Sequence, residues 1–276
     1  MQLKGKTAIV TGSGRGIGEG IARALAREGA NVIINDMNLD NAEAAVKAIE
    51  AAGGTAMPFK ADVTKKAELD AMVEATVKKF GRIDILVNNA GIESVPMLLK
   101  DIPESQWDRV LGVNLKGVFL CCQAVIPQMM KQNKGRIINI NSLAGRRMTF
   151  FGSADYTASK HGGVGLTQHL AWELADSHIT VNAICPGAVL TPLAEHTTTA
   201  EYREMVTKRL IPMGRWCTPD DIAGAAVYFA SDLADMVTGQ VIDIDGGLMT
   251  GYGEDLRPVI RLRMEEMQAK AAAGKL

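Results

Sequence analysis

Short runs of β-branched and other apolar residues alternate along this chain with longer stretches in which apolar positions recur at helical spacing. The runs at residues 7–10, 31–35, 55–60, 83–87, 136–140, 180–184 and 241–244 predict strands. Most are apolar without interruption, the pattern of strands covered by helices on both faces. Between them, the periodicity predicts helices over 16–28, 39–52, 65–79, 113–131, 155–175 and 219–231. Gly29, the Gly53-Gly54 pair and Gly81 follow the first three helices and suit helix stops. Crossovers this short predict an α/β fold: a Rossmann-like, doubly wound, seven-stranded parallel sheet in a single domain.

Two stretches depart from the rhythm. Residues 190–210 form a Thr-rich, charged passage too long for a tight connection, which predicts a lid. After the last strand a tail continues, helix-prone over 261–273. The division expected is one domain over 1–250 and a C-terminal extension over 251–276.

Composition narrows the function classes. With 47% hydrophobic and 22% charged residues the chain is an ordinary globular protein, which excludes disorder, collagen-like repeats and disulfide scaffolds. Its 30 basic and 31 acidic side chains leave a net charge of −1, so no global attraction favours nucleic acid or an anionic membrane, and neither is expected as a partner. Cys121, Cys122, Cys185 and Cys217 form no C-x-x-C pair and accompany no His cluster at zinc spacing, so reduced thiols and no metal are expected. No run of 18 or more apolar residues occurs, and a strand-like segment begins almost at the N-terminus. A cytoplasmic protein without a signal peptide is the expectation.

Candidate chemistry begins after the first strand. Thr11-Gly12-Ser13-Gly14-Arg15-Gly16-Ile17-Gly18 opens directly into a helix, whose first backbone N–H groups are free to hold a phosphate. Ile17 stands where a G-x-G-x-x-G pattern needs its third glycine, but the run fits T-G-x-x-x-G-x-G. Gly14, an extra glycine, is expected to loosen the loop. Asp36 closes the second strand, placed to accept hydrogen bonds from an adenosine ribose diol and to repel a 2′-phosphate. Arg15 argues the other way, but Met37 adds no second positive charge, so NAD is expected over NADP.

Tyr156 and Lys160 stand four residues apart on one helix face. An ammonium there is expected to lower the phenol pKa and let Tyr156 exchange a proton with an alcohol. Ser142 follows the fifth strand, at the same sheet edge. Together with Asn88-Asn89-Ala90-Gly91 after the fourth strand, these signals occur in the order and spacing of the short-chain dehydrogenase/reductase family, which the chain resembles over roughly residues 3–250.

That resemblance implies roles position by position. Asn114 corresponds to a helix-embedded Asn that holds a water linking Lys160 to solvent. Ser142 would bond the substrate oxygen, Tyr156 would be the acid/base, and Lys160 would also bind the nicotinamide ribose. Gly12, Arg15, Gly16, Ile17 and Gly18 would form the phosphate loop. Asp62 and Val63 would contact adenine, Asn89 and Gly91 the adenosine ribose side, and Val189 and Thr191 the nicotinamide carboxamide. A homotetramer is implied, and Gly162, Gly163 and Gly165 in the Tyr156 helix suggest close backbone approaches there. Phe119, Leu120, Met129, Met130 and Trp172 read as core or interface.

Substrate signals are few. Arg146 and Arg147 follow Ser142; Arg147 recognises an anionic substrate, or the pair is a solvated or subunit-contact feature. His196 in the lid bonds a polyol or sugar, or is merely solvated. The function expected is an NAD-dependent interconversion of a secondary alcohol and a ketone, on a small polar polyol, sugar acid or hydroxy acid. Its rivals are an NADPH-dependent 3-oxoacyl-carrier or ketone reductase and a dinucleotide-sensing regulator without chemistry.

Overall fold

The computed structural model describes residues 1–93, 97–148 and 152–250. The extension 251–276, with its predicted helix, lies outside the described residues, as does the side chain of His196.

The strands are β1 (Thr7–Thr11), β2 (Asn31–Asp36), β3 (Thr55–Lys60), β4 (Ile85–Asn88), β5 (Gly135–Ile140), β6 (Ile179–Pro186) and β7 (Val241–Ile244). They form one sheet in the order β3-β2-β1-β4-β5-β6-β7, and every pairing is parallel. The chain winds outward from β1 through β2 to β3, then returns to β4 beside β1 and winds the other way. The reversal between β1 and β4 is where such sheets open a crevice at their carboxyl edge.

Alternation along the strands supplies two cores. Ala8, Val10, Val32, Ile34, Ile85, Val87 and Ile138 face α1 (Gly16–Arg27), α2 (Leu39–Ala51) and α9 (Pro219–Ala230), packing with Ile21, Leu25, Ile49, Ile222 and Phe229. Ile9, Ile33, Leu86, Ile137 and Val181 point to the other face, against Leu69 and Met72 of α3 (Lys66–Phe80), Val125 and Met129 of α5 (Gly117–Gln132) and Leu170 of α6 (Ala154–Glu173). Each of the Val, Leu, Ile, Met and Phe side chains among them contributes about 1.5–3 kcal/mol when fully buried. The predicted stops hold: Gly29, Gly53 and Gly81 all have positive φ, and Gly81 caps α3 in the left-handed conformation.

Three helices were not expected. The helix predicted over 113–131 starts earlier, at α4 (Glu104–Leu111), and passes through a π turn (Gly112–Lys116) into α5. The predicted lid is itself helical, with α7 (Pro192–Thr197) and α8 (Ala200–Leu210). The polar α8 buries only Val206 and carries no apolar stripe to read, whereas α4 places Trp107, Val110 and Leu111 at helical spacing but is only eight residues long and runs without a break into the π turn. Val206 joins Leu143, Cys185, Ala188, Ile211 and Leu248 in a small third core beside the sheet edge.

The continuous helix Glu104–Gln132 is long and apolar enough to cross a bilayer, but Cys121, Val125 and Met129 pack on the sheet. Leu120 and Met129 are core, whereas Phe119, Met130 and Trp172 project outward. The α6 glycines differ: a Cβ on Gly162 would press on Leu115 at 2.8 Å and one on Gly163 would collide with Asn141, while Gly165 faces open space.

Candidate active site

Parallel strands bring their carboxyl ends to one edge, and the residues that follow them there enclose a single cavity. Gly12, Arg15, Gly16 and Ile17 line it from the loop after β1, and Asn89, Gly91, Ile92 and Glu93 from the loop after β4. Ile140 and Asn141 enter from β5, Tyr156 and Lys160 from α6, and Thr191 and Pro192 from the connection after β6.

The glycine loop is held from behind. Thr11 Oγ1 accepts the N–H groups of Asn89 and Ala90, both at 3.0 Å, which ties β4 to β1. Asn89 Nδ2 donates to the carbonyls of Thr11 and Gly12, both at 2.9 Å. This amide therefore fastens the loop, a task that the resemblance did not imply. Gly18 is where the loop and Asn89 meet: a Cβ there would collide with Asn89 Nδ2 and the Gly12 carbonyl. Gly12 has φ +60 and lies so close to Ala90 that a Cβ would sit 2.9 Å from its Cα.

Gly14, expected to loosen the loop, admits Asp36: the Gly14 N–H donates to Asp36 Oδ2 at 3.1 Å, and a Cβ on Gly14 would stand 2.7 Å from that oxygen and from Asn41 Cβ. Asp36 Oδ1 accepts the Asn38 N–H at 3.0 Å, so the carboxylate is fixed at the end of β2.

No side chain caps α1: Arg15 stands at its N-cap in extended conformation without a side-chain hydrogen bond. Glycines without Cβ atoms and an uncapped helix start facing a cavity fit the phosphates of a dinucleotide. The carboxylate at the end of β2 fits its ribose.

At the opposite end of the cavity, Tyr156 is placed by the start of α6, where Asp155 accepts the Tyr156 N–H at 2.8 Å and the Gln106 amide at 2.9 Å. Lys160 is buried one turn later, with Nζ 5.6 Å from the Tyr156 ring centroid and donating to the Ile140 carbonyl at 3.2 Å. Burial dominates both groups. It pushes the Tyr156 phenol up to about 12, against a lowering by the Ser142 hydroxyl and with further raising by the charges of Glu93 and Cys185. It pushes Lys160 down to about 8. Burial thus acts on the phenol in the direction opposite to the lowering expected from the ammonium, because each group loses hydration when charged. Ser142 Oγ also accepts the Ala144 N–H at 3.1 Å, which orients its hydroxyl.

Asn114 sits in the π turn. Its Oδ1 accepts the Ile92 N–H at 2.8 Å, and its Nδ2 donates to the Ile92 carbonyl at 2.9 Å and to Ser159 Oγ at 3.3 Å. The side chain thereby clamps the loop after β4, a contact unforeseen for a water-holding residue.

Other expected site residues lie off the cavity wall. Asp62 accepts the Thr64 N–H and hydroxyl at 2.9 and 2.8 Å, and Val63 packs where Gly117 lacks a Cβ. Val189 is buried in the core and bridges to Cys217, whereas Thr191, which is on the wall, also caps α7 by accepting the Ala194 N–H at 3.2 Å. Arg146 pairs with Asp243 at 3.2 Å and Arg147 reaches the Leu248 carbonyl at 3.5 Å, so both contact the β7 side of their own chain. Ile92, Glu93, Ile140, Asn141 and Pro192 line the cavity without having been predicted. Their only sequence signal was adjacency to the Gly91, Ser142 and Thr191 motif positions.

A model of the family described as enoyl-(acyl carrier protein) reductase matches residues 12–249. The chain is 43% identical to the 3-oxoacyl-[acyl-carrier-protein] reductase FabG of Thermotoga maritima, over 90% of this chain and 100% of that one. It is 40% identical to the (2S)-[(R)-hydroxy(phenyl)methyl]succinyl-CoA dehydrogenase subunit BbsD of Thauera aromatica, over 90% and 98%. Among solved structures it resembles a 7α-hydroxysteroid dehydrogenase complexed with NADH and 7-oxo glycochenodeoxycholic acid, with TM-score 0.85, 36% identity and coverage of 89% and 95%. It also resembles a short-chain type dehydrogenase/reductase from Mycobacterium marinum, with TM-score 0.86, 35% identity and coverage of 91% and 98%.

Proposed function

The chain belongs to the short-chain dehydrogenase/reductase family and is an alcohol/ketone oxidoreductase using a nicotinamide dinucleotide; within that family we propose that it is an NAD-dependent dehydrogenase of a small polar secondary alcohol. The observation that carries this reading is the single cavity shared by the glycine loop and the Tyr156–Lys160 pair. Asp36 supports NAD, since a carboxylate already accepting two backbone N–H groups has its charge fixed where a 2′-phosphate would come. Arg15, on the cavity wall, suits a phosphate of either cofactor.

In this proposal the residues divide the work of binding, orientation and proton transfer. Gly12, Gly16, Ile17 and Gly18 hold the phosphates, Asp36 the adenosine ribose, and Thr191 and Val189 the carboxamide end, with Asp62, Val63, Asn89 and Gly91 shaping the adenosine side. When bound, the nicotinamide supplies the hydride acceptor for oxidation or the donor for reduction. Ser142 holds the substrate oxygen, and Tyr156, acting as the phenolate, takes the hydroxyl proton as the carbinol carbon loses hydride and its C–O bond becomes C=O. Lys160 binds the nicotinamide ribose and relays the proton, and Asn114 keeps the surrounding loop in place. The buried free thiols suit a cytoplasmic location, and outward-facing Phe119 and Trp172 suit a homotetramer.

The Thermotoga relative's name favours a second reading, reduction of 3-oxoacyl thioesters. Titration with NADH and NADPH separates the two: tighter NADH binding is expected, and tighter NADPH binding transfers preference to the reductase. Tyr156→Phe is expected to cut turnover by at least about 100-fold while NADH affinity stays within about twofold. Turnover near the parent value overturns the acid/base assignment.

A further inference from the structure

The loop after β4 carries a charge that the reaction as described does not use. Beyond Gly91 the chain runs through Ile92 and Glu93 along the wall of the cavity that holds Tyr156 and Lys160. Asn114 grips Ile92 by both its N–H and its carbonyl, so Glu93 is attached to backbone that is held in place. The residue is exposed, yet its place on the cavity wall brings enough burial to raise its carboxyl pKa, and its charge raises that of the Tyr156 phenol.

Among the described residues Glu93 has neither a hydrogen bond nor an ion pair, while the cations near the catalytic end are engaged elsewhere: Lys160 with the Ile140 carbonyl, Arg146 with Asp243 and Arg147 with the Leu248 carbonyl. A partly desolvated carboxylate without a partner is satisfied by a ligand that brings a donor, and it repels one that brings a second anion.

Resting on the alcohol/ketone reading of the site, we propose that Glu93 sets substrate class: it accepts a hydrogen bond from a donor group, hydroxyl or ammonium, carried beside the reacting carbinol, and it disfavours a carboxylate or phosphate there. This narrows the substrate to polyols and amino alcohols and sets sugar acids and hydroxy acids aside. A donor at Glu93 also offsets the negative charge that opposes ionisation of the Tyr156 phenol.

The test compares the parent and Glu93→Gln with NAD⁺ on four matched probes, 2-butanol, 2,3-butanediol, 3-amino-2-butanol and 3-hydroxybutyrate. For the parent, kcat/KM on the diol and amino alcohol is expected to exceed that on 2-butanol by about tenfold, with 3-hydroxybutyrate lowest. In Glu93→Gln the amino alcohol falls most, by about tenfold, the diol less and 2-butanol least, while 3-hydroxybutyrate rises. Glu93→Asp keeps the charge and is expected to retain the parent ranking, which separates selection from a folding defect. A parent that uses 3-hydroxybutyrate as well as the diol, or a Glu93→Gln that lowers all four alike, overturns this inference alone. A parent that oxidises none of the four and reduces none of their ketones overturns the alcohol/ketone reading together with it.

Discussion

Two helices begin side by side at the carboxyl edge of this sheet, and their first turns are built on opposite plans. The α9 start is closed by its own side chains. Thr218 Oγ1 accepts the Asp221 N–H at 3.3 Å, Asp221 Oδ2 accepts the Thr218 N–H at 2.7 Å, and Arg215 grips both Asp221 oxygens at 2.7 and 2.8 Å. The α1 start has no side-chain cap and faces the cavity. The helices touch where Gly20 lacks a Cβ, which would stand 2.7 Å from that of Pro219. Neighbours with the same need for acceptors thus meet it differently: one from within the chain, for stability, and the other in the proposed reading from a bound phosphate.

The largest effect should come from disturbing the open start. Gly18→Ala is expected to push the Gly12 carbonyl and Asn89 apart and to weaken NADH binding by about 10–100-fold, the loss of one or more charge-assisted hydrogen bonds, measured by fluorescence titration. Binding within twofold of the parent breaks the contrast. Next is the closed start: Thr218→Ala should cost about 1 kcal/mol of unfolding free energy in denaturant titration, with NADH affinity unchanged. If that variant loses NADH as Gly18→Ala does, the two termini are not functionally distinct.

The smallest effect concerns pH. Arg215, the Thr218 N–H and the Thr218 hydroxyl hold the Asp221 carboxyl well below the usual carboxylate range. A carboxylate with a depressed folded value contributes stability above its unfolded value of about 4 and loses it as pH falls toward the folded one. Asp221→Asn should therefore cost about 0.5 kcal/mol at pH 7, a cost that shrinks below about pH 4. A cost constant across that range would mean that capping geometry rather than charge does the holding.

Particular elements show how far the pattern of residues could be read. Strands 55–60 and 241–244 match β3 and β7 at both ends, and the helix predicted at Gly16 starts there, because each is bounded by glycine or by an abrupt change of polarity. α4, α7 and α8 were missed although Pro103 stands at one N-cap and Thr191 and Thr199 accept N–H groups at the other two. Caps mark where a helix begins, but periodicity is the stronger signal, and it is weak in the polar α8 and confined to one turn, Trp107 to Leu111, in α4. Tyr156, Lys160, Asn114 and Ser142 were legible as motif positions, whereas Glu93 was not, since a single acidic residue in a loop has no spacing to betray it.

By itself, the order of residues determined the seven strands, their parallel winding and the edge at which the chemistry residues gather. Those follow from local periodicity and from the restriction that short crossovers place on topology. Only the tertiary structure showed that burial raises the Tyr156 phenol, that the Gly14 N–H donates to Asp36, and that Arg146 pairs with Asp243. Each depends on which groups from distant strands meet out of water, and the strength of an electrostatic interaction is set by that distance and burial rather than by position in the chain.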